Sequence, residues 1–161
     1  MVMTDFVQDF PNHIDIAIEI AESISLNSDY KNIDNIIISG QGGSAMGAMI
    51  VKNLLHELVS VPIIINQDYN LPSFVNERTL FIASSYSGNT EETLCALKNA
   101  EDKKSIVFSI CSGGELLAIS KQKKHDYIIL PSGGAPRAML CYSLVQILFV
   151  IARVKQIPIN N

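Results

Sequence analysis

Cysteine is scarce in this chain and poorly spaced for cross-linking or metal binding. The three present, Cys95, Cys111 and Cys141, are odd in number, widely separated and without a Cys-x-x-Cys pair. That excludes a disulfide framework, offers no zinc site and fits a reducing, cytoplasmic compartment. Positive charge is also thin. Lys and Arg number 12 against 16 Asp and Glu, a formal net charge of -4, and no basic stretch is interleaved with aromatics, so no nucleic-acid surface is expected. Residues 121–124 form a short basic cluster that reads as a solvated helix end. The N-terminus carries acids where a secretory signal needs a basic and then an apolar region, and no targeting motif replaces it. The most apolar stretch, 139–154, is shorter than the roughly 20 residues that span a bilayer and is interrupted by Ser143 and Gln146. It reads as a buried helix, so no membrane role is expected.

What remains is 161 residues, 48% hydrophobic and 17% charged, enough for one domain with a real core. Its most informative segment runs from Ser84 to Thr93, Ser-Ser-Tyr-Ser-Gly-Asn-Thr-Glu-Glu-Thr. It follows the apolar run 79–83 and leads into a helical pattern, which makes it a hydroxyl-rich turn between strand and helix. Ser85, Ser87 and Thr90 can donate hydroxyl hydrogen bonds, Gly88 lets the backbone turn tightly, and the helix start adds free N–H groups. Such a turn suits a phosphate. The plainer reading, in which Ser87 or Asn89 caps the helix, needs fewer hydroxyls than are present. A second Gly-rich turn, Gly40-Gln-Gly-Gly-Ser-Ala-Met-Gly47, follows the apolar run 35–39 and opens another helical pattern. Loops at the carboxyl ends of parallel strands lie on one sheet edge, so both turns can address one ligand if their strands are close.

Alternating elements set the fold. Short, β-branched apolar runs at 35–39, 62–66, 79–84, 105–110 and 127–130 read as strands buried on both faces. Helical patterns at 44–58, 90–100, 115–123 and 135–155 separate them, while 67–78, with Pro72, reads as a loop. Residues 4–26 carry helical spacing in Ile14, Ile18 and Ala21, with Pro11 marking a break before the helix proper. The expectation is an α/β, flavodoxin-like, doubly wound, five-stranded parallel sheet flanked by helices, with an N-terminal helical segment (1–32) packed on the main domain (33–161). The last helix is apolar around nearly its whole circumference, which predicts burial against something beyond this chain's own sheet, such as a partner.

The two turns, together with Ser132-Gly-Gly-Ala-Pro-Arg-Ala-Met-Leu140, resemble the sugar isomerase (SIS) domain family and, within it, the N-terminal domain of the bifunctional phosphoglucose/phosphomannose isomerases. The resemblance runs from about Ile33 to the end, and Ser-Tyr-Ser-Gly-Asn-Thr combined with Ala-Pro-Arg-Ala carries most of it. It implies the same doubly wound fold and a phosphorylated sugar as ligand. Matched position by position, Gly43 and Ser44 would line the sugar-phosphate pocket, and Ser85, Ser87 and Thr90 would hold the phosphate. Arg137 would lie near the substrate as a catalytic residue, binding an oxygen or stabilising an enediolate-like intermediate. A cation in the first turn of a helix is electrostatically misplaced, which favours a ligand for it over a structural role. No cofactor is implied.

Isomerisation through an enediolate also needs a base, normally a carboxylate, and a ring-opening group, often histidine. Neither stands out. Glu91 and Glu92 are explained by the helix dipole, and His13, His56 and His125 have no metal-ligand spacing and read as surface or core residues. In the resembling enzymes both groups come from a second SIS domain. The expected activity is therefore interconversion of glucose 6-phosphate or mannose 6-phosphate with fructose 6-phosphate, completed by a second domain or chain in a dimer or paired arrangement. Alternatives are a non-catalytic phosphosugar-sensing module, a single-domain phosphoheptose or hexulose-phosphate type isomerase, and a dinucleotide domain. The last rests on the G-x-G-x-x-A match at residues 40–45 with Asp68 as ribose ligand, and leaves the 84–93 turn unexplained.

Overall fold

The computed structural model describes residues 8–134 and 138–158. Among the described residues helix α1 (Phe10–Glu22) opens the element order, with Pro11 in its first turn, where a missing N–H costs nothing. Then β1 (Asn35–Ser39), α2 (Gly42–Leu55), β2 (Ile63–Asn66), β3 (Thr79–Ser84), α3 (Glu91–Asp102), β4 (Ile106–Cys111), α4 (Gly114–Lys123), β5 (Asp126–Ile129) and α5 (Leu140–Val154) follow in order. The strands form one five-stranded sheet, ordered β2-β1-β3-β4-β5 and parallel at every pairing. The doubly wound flavodoxin-like architecture expected from the alternation is the one observed.

Strand alternation sorts the core into two layers. Ile36, Ile38, Leu80, Ile82, Phe108 and Ile110 face a cluster with Ala17, Val51 and Ile147, so α1, α2 and α5 cover that side. Ile37, Phe81, Ala83 and Val107 face Ala96, Leu97 and Leu116 of α3 and α4 on the other. The central strands β1 and β3 are buried along their whole length, which is why they are continuous apolar runs rather than alternating ones.

The last helix corrects one expectation. Its apolar circumference, including Tyr142, Ile147, Val150 and Ile151, is buried by α1, α2 and the sheet of this same chain. Gln146 Nε2 donates to the Ala17 carbonyl at 2.8 Å, and Arg153 donates to the carbonyls of Ile24 at 2.7 Å and Glu22 at 3.0 Å. No partner is needed to cover α5. It also begins at Leu140 rather than at residue 135. Arg137 itself lies outside the described residues. Among the described residues, no helix is long and apolar enough to cross a membrane.

Candidate functional site

Strands β1 and β3 are neighbours, with Ser39 opposite Ala83, so their carboxyl ends deliver the two Gly-rich turns side by side. From β1 the chain passes into α2 on one face of the sheet; from β3 it passes into α3 on the other. This reversal is the topological switch point, where open α/β sheets leave a crevice. A cleft of about 120 Å³ lies there, lined by Gly43, Ser44, Ser85, Ser87 and Thr90 together with Gln41 and Tyr86. All five sequence-predicted binding positions that fall within the described residues are brought together.

Two helix N-termini open onto this cleft. α2 starts at Gly42, earlier than its sequence pattern suggested, so Gly43 and Ser44 belong to its first turn. Its N-cap, Gln41, makes no side-chain capping bond and instead donates Nε2 to the Gln67 carbonyl at 2.5 Å. The N-cap of α3 is Thr90, which also makes no side-chain capping bond. The plainer reading of the hydroxyl turn, a capped helix, is therefore not what the chain builds. Uncapped first-turn N–H groups carry partial positive charge and suit an anion.

Hydroxyl groups complete the lining. Ser85, 3% exposed, pairs Oγ with Thr90 Oγ1 at 2.8 Å and accepts the Gly88 N–H at 3.1 Å. Whichever of the two hydroxyls donates, the other keeps its own O–H, so the pair retains a donor for a ligand. Ser87 is exposed, and its Oγ accepts the Asn89 N–H at 3.2 Å, which leaves its O–H to donate. Asn89 caps a helix other than its own: its Oδ1 accepts the N–H of Glu115 in the first turn of α4 at 2.9 Å. Ligand pockets usually enclose roughly 300–1,000 Å³; this cleft is smaller, of a size for an anionic group.

No carboxylate or imidazole belongs to the described lining. His13 pairs with Asp9 at 3.2 Å and tilts against Tyr142, and His125 lies 3.4 Å from Glu101. Burial holds the His125 imidazole below its ordinary pKa, with Glu101 opposing. Asp68 lies exposed past β2 and does not line the cleft. Burial pushes the Cys111 thiol up to about 11, so it supplies no thiolate at neutral pH. Among the described residues no cluster could hold a metal ion. Sequence reading missed Gln41 and Tyr86 as lining residues. Both stood inside the quoted turns, and only their place between the hydroxyl and glycine residues could have flagged them.

No family model matches the chain. It is 40% identical over 160 residues, 99% of its length and 47% of the relative's, to a bifunctional phosphoglucose/phosphomannose isomerase from Caldicellulosiruptor bescii. In structure it superposes on the C-terminal domain of glucosamine-fructose-6-phosphate aminotransferase from Francisella tularensis with a TM-score of 0.74 at 18% identity, covering 96% of this chain and 48% of that one. It also superposes on the sugar isomerase domain of an RpiR transcription factor from Sphaerobacter thermophilus, with a TM-score of 0.64 at 16% identity, covering 93% of this chain and 90% of that one. Over nearly its whole length the chain is similar to about half of the Caldicellulosiruptor bescii isomerase, and it has the fold of a sugar isomerase (SIS) domain. It spans about half the length of the curated relatives it matches.

Proposed function

We propose that this chain is a SIS domain that binds a phosphorylated sugar, phosphate first, and forms the binding half of a cytoplasmic aldose-ketose isomerase that interconverts glucose 6-phosphate or mannose 6-phosphate with fructose 6-phosphate. The observation that carries this reading is the convergence of two uncapped helix N-termini and the hydroxyl residues Ser44, Ser85, Ser87 and Thr90 on one small cleft. In this reading Ser85, Ser87 and Thr90 hold the phosphate, and Gly43 and Ser44 border it with α2's first turn. Arg137 stabilises charge on the enediolate. Phosphate oxygens accept bonds that stay put while the sugar end reacts, so the cleft orients the substrate without taking part in proton transfer. Among the described residues the lining holds no carboxylate or imidazole, which favours a base supplied by a second domain or chain. The same lack supports a second reading, a module that binds phosphosugars without turnover.

The test is thermal unfolding with glucose, mannose and fructose 6-phosphates beside a coupled assay for fructose 6-phosphate. At 100 times the dissociation constant a native-state ligand adds about 2.7 kcal/mol, a rise of roughly 5–10 °C for a domain of this size. Stabilisation without turnover by the isolated chain is expected; no stabilisation would sink the proposal. Ser87→Ala should weaken phosphosugar binding about 10- to 100-fold, the loss of one hydrogen bond to a charged group, while leaving the melting temperature nearly unchanged because Ser87 is exposed.

A surface for the second domain is available on α2 rather than on α5. Met46, Met49, Ile50 and Leu54, with Leu58 just beyond the helix, are 37–61% exposed and recur at helical spacing on one face. The isolated chain has only its own copy to offer. Sedimentation should show a dimer that Leu54→Lys weakens at least tenfold, and a monomeric unsubstituted chain would overturn this assignment.

A further inference from the structure

Tyr86 stands between two hydroxyl residues of the turn yet points its own hydroxyl elsewhere. Its backbone carbonyl accepts both the N–H of Ser112 at 2.8 Å and the Ser112 hydroxyl at 2.7 Å, which ties it to the end of β4. Its ring lines the cleft and packs on the core layer beneath α1, α2 and α5. Beyond the ring, the phenol donates to the Pro131 carbonyl at 2.9 Å and accepts the Gly134 N–H at 3.2 Å. One hydroxyl thus uses its proton and a lone pair to hold both ends of a four-residue segment. That segment leaves β5, two strands away from β3 in the sheet.

Nothing about a phosphate-binding turn requires this connection. Ser85, Ser87, Gly88 and Thr90 are fixed by bonds among themselves and to the β4–α4 turn. The phenol adds a link from a residue that lines this small cleft to the third loop, 131–134. In the sequence, Arg137 follows three residues after Gly134.

We infer that Tyr86 is a positioning residue, whose phenol fixes the 131–134 loop where it meets the sugar portion of a ligand whose phosphate occupies the cleft. The inference rests on the phosphosugar reading and refines it, because it divides the ligand between two parts of the site. Phosphate is held by the hydroxyl turn and the helix N-termini; the sugar is met by the loop that Tyr86 anchors. Removing the phenol oxygen should therefore cost affinity for a phosphosugar out of proportion to affinity for phosphate alone.

Tyr86→Phe keeps the ring and its packing and deletes both loop bonds. Calorimetric titration of the full chain with inorganic phosphate and with glucose 6-phosphate should show glucose 6-phosphate weakened at least tenfold more than phosphate. Equal losses for the two ligands, or no loss for either, would reduce the phenol to a structural staple and overturn the inference. Hydrogen exchange at the Gly134 amide in the unsubstituted chain provides a reading independent of the variant's stability. Glucose 6-phosphate should slow that exchange at least fivefold more than phosphate does, and identical protection by both would count against the loop's role. If the unsubstituted chain binds phosphate but not glucose 6-phosphate, the sugar assignment fails; if it binds neither, the phosphosugar reading fails and this inference with it.

Discussion

Gly88→Ala should abolish phosphosugar binding and lower the melting temperature by roughly 5–15 °C, because the substitution meets two obstacles at once. Gly88 has φ +71°, and a β-carbon there would lie 1.9 Å from the Gly113 carbonyl oxygen and 2.8 Å from its carbon. Left-handed backbone costs an L-residue about 1–2 kcal/mol. The clash costs more than the backbone conformation does, since it is with main-chain atoms that cannot rotate aside. The two turns are also bonded together: Leu116 N–H donates to the Gly88 carbonyl at 2.9 Å, Glu115 N–H to Asn89 Oδ1 at 2.9 Å and Ser112 N–H to the Tyr86 carbonyl at 2.8 Å. Separating them breaks several of these bonds, so a loss of about 3–4 kcal/mol follows, at 2–4 °C per kcal/mol for this size. Gly42→Ala is the matched control. Gly42 also has positive φ, +53°, but a β-carbon there meets nothing within 4 Å, so about 1 kcal/mol of backbone strain is all it should cost. Thermal unfolding of the two variants decides the matter, and similar melting temperatures would show that the interlocked turns do not hold the site.

The contrast between those glycines also shows what a linear sequence conveys. Both sit in Gly-rich turns after strands, and both read as permissive backbone positions. Only the β4–α4 turn, more than twenty residues away in sequence, makes Gly88 irreplaceable. The strands were legible because burial on both faces demands unbroken β-branched runs, and Ile36, Ile37 and Ile38 announce that without reference to any neighbour. The convergence of the two hydroxyl and glycine turns was legible too, since parallel topology alone puts both at one edge. What covers α5 was not. An apolar circumference reports that a helix is buried, but its cover is α1 and α2 with the sheet, α1 being joined through Gln146 and Ala17 across 129 residues. The role of Asn89 was hidden for the same reason: the sequence offered it only as an alternative cap of α3, and its partner is the start of α4. Local spacing specifies the elements, and long-range hydrogen bonds decide which residue serves which element.

Asp126→Asn should destabilise the fold by roughly 2–4 kcal/mol at neutral pH, the scale expected when a buried charged acceptor is lost to its donors. Asp126 is 3% exposed, on edge strand β5, and all its partners come from the segment between α1 and β1. Its carboxylate accepts the N–H of Asn27 at 3.1 and 3.0 Å, Asn27 Nδ2 at 2.9 Å, Ser28 N–H at 2.9 Å and the Tyr30 hydroxyl at 2.6 Å. These bonds tie the N-terminal segment to the far edge of the sheet. An asparagine replaces one acceptor oxygen with an NH₂ group facing donors, so it cannot satisfy the set. Burial alone would raise the Asp126 pKa, but the bonds from Tyr30, Ser28 and Asn27 outweigh it and hold the carboxyl below its ordinary 3.8. A depressed native pKa adds stability that is fully present above the unfolded value and is lost as pH falls through the native one. Tyr30 provides the opposite window. Burial, with the Asp126 bond and charge, holds its phenol far above the ordinary 10.0, so its contribution is complete below pH 10 and is lost as pH rises beyond it. Urea unfolding at pH 7 and pH 3 tests the acid side. The gap between Asp126→Asn and the unsubstituted chain should be widest at pH 7 and narrow at pH 3, and equal midpoints at pH 7 would show that the carboxylate does not hold the segment in place.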